Sequence, residues 1–263
     1  TAPAGGSDSQ PELIYGLHAV REALRAGTRP LQRLLVLRTD RQFHDLVQLA
    51  KAQGVPVHIE PPSAFDRLAP GGTHQGVIAL IAAKSYDTTE QILDRAKARG
   101  EKPFLVLLDG VEDPHNLGAV LRTAEAAGVH GVFIPERRAV GLTSVVAKVS
   151  AGAIDHIAVG RVGNLIRLIQ DLKEAGLWVY GVDPQAAKLH TDIDMIGPIA
   201  LVLGGEGEGL RPGVLGECDD RIKIPMLGHI QSLNVSAAAA VTLFEAVRQR
   251  RKSAETQANP TES

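Results

Sequence analysis

Cysteine is nearly missing from this chain: Cys218 is the only one in 263 residues. That excludes an internal disulfide and a cysteine-based metal cluster, and the cytoplasm is the compartment such a sequence fits. Cys218 itself reads as a small, inert side chain. No segment approaches the apolar run of about 20 residues that a membrane span needs. The opening TAPAGGSDSQP has neither a basic region nor an apolar stretch, so no secretory leader and no membrane anchor are expected. The nine histidines show no tight metal-ligand spacing, and no metal is expected. A net charge of only −2 gives no global pull toward nucleic acid, so any such contact has to come from local patches. Aromatic residues are scarce at 3%, against 44% hydrophobic and 22% charged residues, a balance that rules out disorder for most of the chain. The lone tryptophan, Trp178, is most simply a core residue.

What is present is an alternation of apolar runs and helical periods. A prior of about 100–200 residues per domain suggests two domains. The ends, TAPAGGSDSQP and SAETQANPTES, are small, polar and proline-containing, so residues 1–11 and 253–263 read as disordered tails. From Leu13 the pattern predicts a helix near Leu17–Ala26, a strand near Leu34–Leu37, a helix near Phe43–Gln53 and a strand near Val55–Ile59. A short turn or helix then precedes a strand at Val77–Ala83, which gives α/β order in a compact unit at 12–84. Residues 85–103 read as a linker, in which Thr88 and Gln91 have capping-box spacing and Gly100 with Pro103 closes a short polar helix. A second domain at 104–252 opens with the buried strand FLVLLDG, followed by a helix around Leu117–Ala127 and a strand around Val132–Ile134. Further strands are expected at Ile157–Val159, Leu177–Val182, Ile199–Leu203 and Arg221–Ile224, with a long final helix from about Asn234 to Arg251. Continuous apolar runs separated by helices predict a mostly parallel sheet.

Three segments of the second domain carry polar groups that a core does not need. The first, LVLGGEGEGLRPGVLGECDDRIKIPM, is a strand running into a loop that holds Gly204, Gly205, Gly207 and Gly209 around Glu206 and Glu208. The spacing matches neither the dinucleotide fingerprint nor the P-loop. Two carboxylates would repel a pyrophosphate, whereas a phosphate-free ligand bearing a positive sulfonium suits such a loop, so S-adenosylmethionine is favoured over a nucleotide. A glycine-rich turn packed for steric reasons is the competing reading. In the second segment, LLDGVEDPHNLGAVLRTAEAAG, Asp113, Pro114 and Asn116 make a turn and cap a helix at the C-terminal end of a strand, where open α/β sheets place ligands. Leu117, Val120, Leu121, Ala124 and Ala127 form its apolar stripe and Arg122 projects from the far side. Taken alone, Asn116 is equally a plain N-cap and Arg122 a surface arginine paired with Glu125. The third, IQSLNVSAAAAVTLFEAVRQRRK, sets Ser232 and Asn234 at the mouth of a helix whose first turns are small residues. Alone it reads as a capped C-terminal helix burying Val241, Leu243, Phe244 and Val247, with a basic exposed end.

In this order the three segments resemble the three signature motifs of the SpoU (TrmH) family of RNA methyltransferases, and the resemblance spans the whole second domain. Asn116 and Arg122 match the asparagine and arginine of the first motif, Glu206 the glutamate of the second, and Ser232 and Asn234 the serine and asparagine of the third. The resemblance implies that these five form the catalytic site. It also implies a deep C-terminal trefoil knot, one of the rare exceptions to the rule against threaded chains. S-adenosylmethionine would lie in the knot against Gly204, Gly205, Gly207, Gly209, Ile224, Met226 and Leu233, and the enzyme would be a homodimer with its active site at or near the interface. IYGLHAVREAL and HQGVIAL in the first unit resemble the L30e-like substrate domain of ribosomal-RNA members. That implies 2′-O-methylation of a guanosine in the peptidyl-transferase loop of large-subunit (23S) ribosomal RNA. A transfer-RNA ribose methyltransferase and a non-catalytic RNA-binding protein are the alternatives. Arg21, Arg25, Arg29, Arg33, Arg38 and Arg41 would supply cations for phosphates, partly offset by Glu22 and Asp40, with His18 and His74 structural or RNA-contacting. Arg122 is expected to clamp the phosphate beside the target ribose and stabilise the developing oxyanion, Asn116 and Asn234 to orient ribose and loop, and Glu206 to position Arg122 or a hydroxyl.

Overall fold

The computed structural model describes residues 12–27, 29–39, 41–82, 84–205, 207 and 209–258. The expected N-terminal tail, Asp40, Glu206 and Glu208 lie outside the described residues. The chain divides into two compact units, Thr1–Ser85 with Leu142–His156, and Tyr86–Gly141 with Ile157–Ser263.

In the first unit β1 (Glu12–Tyr15), α1 (Leu17–Ala26), β2 (Leu31–Val36), α2 (His44–Ala52), β3 (Val57–Ile59), α3 (Pro62–Leu68) and β4 (Val77–Ile81) follow one another. The sheet order is β1-β4-β2-β3. β4, buried along its whole length, pairs antiparallel with β1 and β2, and β3 joins β2 in parallel. The helix α1 buries Ala19, Val20, Ala23 and Leu24 on one face and stops where Gly27, at φ 58, turns its N–H back to Ala23 O, a left-handed cap that glycine adopts without strain.

The second unit starts with α4 (Thr89–Ala98), β5 (Phe104–Asp109), α5 (Pro114–Ala126) and β6 (Gly131–Pro135). The capping box of Thr88 and Gln91 is present. The helix it opens is integrated rather than a free linker, because Ile92 and Ala96, one turn apart, are fully buried and Ile92 packs with Leu105, Leu107 and Phe133. The chain then returns to the first unit through α6 (Ser144–Val149) and a 3-10 turn at Ala153–Asp155, where Asp155 receives Arg29 Nε at 2.7 Å in a buried ion pair. Arg29 is thereby removed from the proposed row of phosphate-facing cations. Arg25 is exposed but paired with Glu22 at 3.3 Å.

Back in the second unit come β7 (Ala158–Val162), α7 (Leu165–Glu174), β8 (Trp178–Val182), β9 (Lys188–Leu189), β10 (Ile199–Gly204), α8 (Pro212–Glu217), β11 (Asp220–Lys223) and α9 (Val235–Ala258). The seven strands lie in the order β7-β6-β5-β10-β8-β11-β9 with every pairing parallel, as the apolar runs predict. The two-residue β9 is too short to show a period. No helix among the described residues is long and apolar enough to cross a membrane.

Three expectations need correction. Trp178 is 56% exposed: it opens β8 at the rim of the sheet and stacks on Tyr180, which lies on the same face two residues on. On α9 the buried face runs through Val235, Ala239, Thr242, Leu243 and Ala246, which leaves Val241 and Phe244 outside. The helix also continues through residues 253–258, whose Ala, Glu and Gln are good helix formers; 259–263 lie outside the described residues.

Arg250 fastens α9 to the sheet. Its guanidinium donates to the carbonyls of Met195 (3.0 Å), Lys102 (3.0 Å), Pro103 (3.3 Å) and Gly197 (2.7 Å) and lies 4.6 Å from the centre of the Phe104 ring. Arg250→Ala should cost about 2–4 kcal/mol in denaturant unfolding, since four carbonyls lose a charged donor. Arg250→Lys should recover less than half, because an ammonium cannot reproduce the fork. A loss below about 0.5 kcal/mol in the alanine variant would show that water replaces these contacts freely.

Candidate functional site

The loop after β10 is built on close approach. Gly205 pairs with Gly209 in an antiparallel bridge, and the Gly205 N–H donates to Asp109 O at 2.7 Å. A Cβ on Gly205 would stand 1.9 Å from Gly110 O, and one on Gly204 would stand 2.2 Å from the carbonyl carbon of Gly209. Only glycine fits at either position. Asp109, 1% exposed at the end of β5, secures the far end of the loop. It accepts the Arg211 N–H at 3.0 Å and Nε at 2.7 Å, with Nη2 at 2.6 Å.

A second anchor joins two helix starts. Asn234 caps α9, its Oδ1 accepting from the Ser236 N–H at 2.8 Å and the Ser236 hydroxyl at 2.6 Å. Its Nδ2 donates to Asn116 Oδ1 at 3.0 Å. Asn116 is buried in the first turn of α5 and is not the cap; that role belongs to Asp113, which accepts the His115 N–H at 2.9 Å, with Pro114 beginning the helix. The same amide holds the Asp113 carboxyl below its ordinary value. Two residues 118 apart in sequence thus fix the start of α5 against the start of α9.

These anchors frame two adjoining cavities. The larger, about 540 Å³, opens at the C-terminal ends of the neighbouring strands β10, β8 and β11, where parallel sheets place ligands. Gly204, Gly205, Gly207, Gly209, Ile224, Met226 and Leu233 all line it, as do Ser232 and Asn234. Among its described lining residues there is no lysine or arginine, and the one charged side chain is Asp183. The smaller cavity, about 450 Å³, shares Gly205, Gly209 and Val235 with the first and is walled by Asp109, Glu112, Asp113, Asn116, Arg138 and Arg211.

Arg122 is placed elsewhere. It is exposed on the far face of α5, lines neither cavity and forms no ion pair with Glu125. Glu206 lies outside the described residues. In the first unit His18 lines a small cavity. His74 instead serves the fold, accepting the Gly76 N–H at 3.0 Å on Nδ1 and packing 5.2 Å from Phe65. Arg21 lines no cavity described here. Cys218 is half-buried, its thiol pushed up to about 11 by burial, an inert group as its sequence context suggests.

The sequence reading missed Asp109, Arg211, Arg138 and Asp183. For Asp109 a signal existed, since a carboxylate ends the five-residue apolar run FLVLL. Arg138 is a non-glycine residue at φ 58, which no local pattern announces.

Known proteins resemble the chain along nearly its whole length. The family model described as the SpoU rRNA Methylase family matches residues 103–244, and the one described as RNA 2′-O ribose methyltransferase substrate binding matches residues 13–87. YacO of Bacillus subtilis (strain 168), named for the TrmH family of tRNA/rRNA methyltransferases, is 42% identical over 242 residues, 92% of this chain and 97% of that one. The crystal structure of the SpoU methyltransferase AviRb from Streptomyces viridochromogenes, in complex with the cofactor AdoMet, aligns with a TM-score of 0.79 at 25% identity, covering 92% of this chain and 91% of that one. The AdoMet-bound rRNA methyltransferase from Sinorhizobium meliloti aligns with a TM-score of 0.75 at 25% identity, covering 91% and 87%. With a methylase match over more than half of its residues and a substrate-binding match over most of the rest, the chain belongs to the SpoU family of RNA methyltransferases.

Proposed function

We propose that this chain is a cytoplasmic homodimer that uses S-adenosylmethionine to methylate a guanosine ribose 2′-hydroxyl in the peptidyl-transferase loop of 23S ribosomal RNA. The chemistry of the larger cavity is the observation that carries the reading. Its volume falls in the range of about 300–1,000 Å³ usual for small-molecule sites. Without a lysine or arginine among its described lining residues it is ill suited to a polyphosphate, whereas Asp183 favours a ligand bearing positive charge. S-adenosylmethionine fits: Leu203, Leu210, Ile224, Met226 and Leu233 would hold its apolar and aromatic parts, and Asp183, Gln185 and the backbone of Gly204, Gly205, Gly207 and Gly209 its polar ones. When bound, the cofactor supplies an activated methyl group on a positive sulfonium. The knot belongs to the same proposal; the loops after β10 and β11 that would form it wall one cavity.

The protein's own part is alignment and charge. Asn116 and Asn234 hold the starts of α5 and α9 in register, which sets the smaller cavity beside the larger one and leaves room there for a ribose. Arg122 clamps a phosphate and stabilises negative charge developing on the attacking oxygen; a guanidinium is too hard to deprotonate to serve as the base. Because Arg122 lines neither cavity of its own chain, the reading places it at the site of the partner chain. Exposed Leu227, Ile230, Val241 and Phe244 supply apolar surface for that dimer. The first unit, matched as substrate binding, supports a large structured RNA.

Incubation with labelled S-adenosylmethionine and unmodified large-subunit RNA, followed by mapping, tests the reading. One methylated guanosine in the peptidyl-transferase loop is expected. Methylation of transfer RNA alone would overturn the substrate, and methylation of neither RNA with cofactor binding intact would overturn catalysis. In calorimetric titration S-adenosylmethionine should bind where NAD and ATP do not.

A further inference from the structure

We infer that the first unit contains a binding pocket for a backbone phosphate of the RNA, with Lys148 as its principal cation. The inference rests on RNA being the substrate and goes beyond it by naming where the first unit grips and with what.

The pocket is the cavity of about 340 Å³ lined by Tyr15, Gly16, His18, Thr73, Gln75 and Lys148, together with Ala19 and Ala151. Its charge separates it from the cavities of the second unit. Those contain carboxylates, Asp183 in one and Asp109, Glu112 and Asp113 in the other, whereas none of the residues lining this one is acidic. Its lining residues carry a lysine, an imidazole, a hydroxyl and a carboxamide with no acidic residue among them, and such a set favours an anion.

Lys148 is positioned without being neutralised. Its Nζ lies 5.1 Å from the centre of the Tyr15 ring, and it is paired with no carboxylate among the described residues. A cation over a ring keeps its full charge and its donors, so it is oriented and still available. The ring is itself fixed, because Gly72 packs so close that a Cβ there would stand 2.9 Å from Tyr15 Cε2.

The backbone around the pocket carries strain. Gln75 at φ 51 and Ala151 at φ 52 are two of the three non-glycine residues with positive φ among the described residues, and both line this cavity. Such conformations cost free energy, persist only where the surroundings over-determine them, and gather at ligand clamps. Gln75 is fixed by accepting the Leu17 N–H on Oε1 at 2.9 Å, which sets the positive end of α1 at the cavity's edge.

Residue 148 falls inside the stretch matched as methylase, 103–244, yet α6 belongs to the first compact unit. The pocket is therefore complete only when a segment of the methylase stretch has packed beside β1, and an isolated substrate-binding segment ending at residue 87 would lack its cation.

The test uses the full-length protein and compares wild type, Lys148→Ala, Lys148→Arg and, as a control for general charge, Lys97→Ala on exposed α4 surface in the second unit. RNA affinity is measured over a series of salt concentrations, alongside S-adenosylmethionine affinity, KM and kcat. Lys148→Ala should bind RNA about tenfold more weakly. Its plot of log affinity against log salt should flatten by about 0.7–0.9, the share of one phosphate contact. KM should rise while kcat and cofactor affinity stay at wild-type values. Lys148→Arg should restore most of the binding, and Lys97→Ala should change the slope far less. Wild-type affinity and slope in Lys148→Ala, or an equal effect from Lys97→Ala, would overturn the pocket while leaving the methyltransferase reading standing. If wild type itself binds no RNA, the functional reading falls and the pocket with it.

Discussion

Arg122→Ala should bind S-adenosylmethionine with wild-type affinity and methylate RNA at least about a hundredfold more slowly, the scale seen when a donor aimed at developing oxygen charge is removed. The unchanged affinity follows from placement. Arg122 is exposed on the face of α5 opposite the buried stripe of Leu117, Val120, Leu121 and Ala124, and it touches neither cavity, so its loss leaves the cofactor walls intact. Under the proposed function, a residue so placed acts at the partner chain's site and not at its own. Mixing Arg122→Ala chains with Asn234→Ala chains tests this directly. If the arginine acts across the dimer, each mixed dimer holds one complete site, made of the cavity of the first variant and the arginine of the second. Activity should then recover to about a quarter of wild type, because about half of the dimers are mixed and each has one working site of two. No recovery, with mixed dimers confirmed by differential tagging, would place Arg122 at its own chain's site. An Arg122→Lys variant with full turnover would count against a bidentate clamp, since a lysine presents a point charge and not a fork.

Much of the second unit was legible in the sequence because its strands are fully buried. Phe104–Leu108 and Ile199–Leu203 are unbroken apolar runs, which a parallel sheet covered on both faces calls for when they alternate with helices. The glycine loop was legible too, because its spacing fitted no phosphate-binding pattern and still demanded a reason. What stayed hidden was decided by partners far away in the chain. Arg29 looks like its neighbouring surface arginines until Asp155, 126 residues on, buries it. The helix at 89–98 reads as polar because only Ile92 and Ala96 are fully buried, with Leu93 partly buried against the same core. The short α6 has no period long enough to reveal which unit it packs on, so the return of 142–156 to the first unit has no local signature. Asn116 and Asn234 were grouped by family resemblance, and nothing in their spacing foretells the hydrogen bond that joins them. Val241 and Phe244 are exposed on a helix whose composition suggested burial, because its buried face runs through Ala239, Thr242, Leu243 and Ala246 instead.

Gly205→Ala should weaken cofactor binding about a hundredfold, while Gly207→Ala, two residues on in the same loop, should weaken it about tenfold. The two glycines are there for different reasons. At Gly205 the backbone is outside the left-handed region, so alanine is conformationally free to enter, but its Cβ would meet Gly110 O at 1.9 Å and the Gly110 carbonyl carbon at 2.6 Å. Those are main-chain atoms at the end of a buried strand and cannot swing aside. The loop would have to lift instead, which breaks the 2.7 Å bond to Asp109 O and the bridge to Gly209 and moves the floor of the larger cavity. Overpacking typically costs about 1–3 kcal/mol, and contact with main-chain atoms that cannot give way puts this one at the upper end, which predicts a loss of affinity of about a hundredfold. At Gly207, φ is +88 and nothing stands within 4 Å of a Cβ, so alanine there meets only left-handed strain of about 1–2 kcal/mol, and a tenfold loss is the expected scale. Calorimetric titration of S-adenosylmethionine against both variants separates the two causes, with thermal unfolding as the check that the sheet is intact. The reverse order would mean that turning freedom, and not close approach, shapes the cradle. Wild-type affinity in both would mean that the glycines serve only to pack a turn, and that the cofactor is held by the loop after β11.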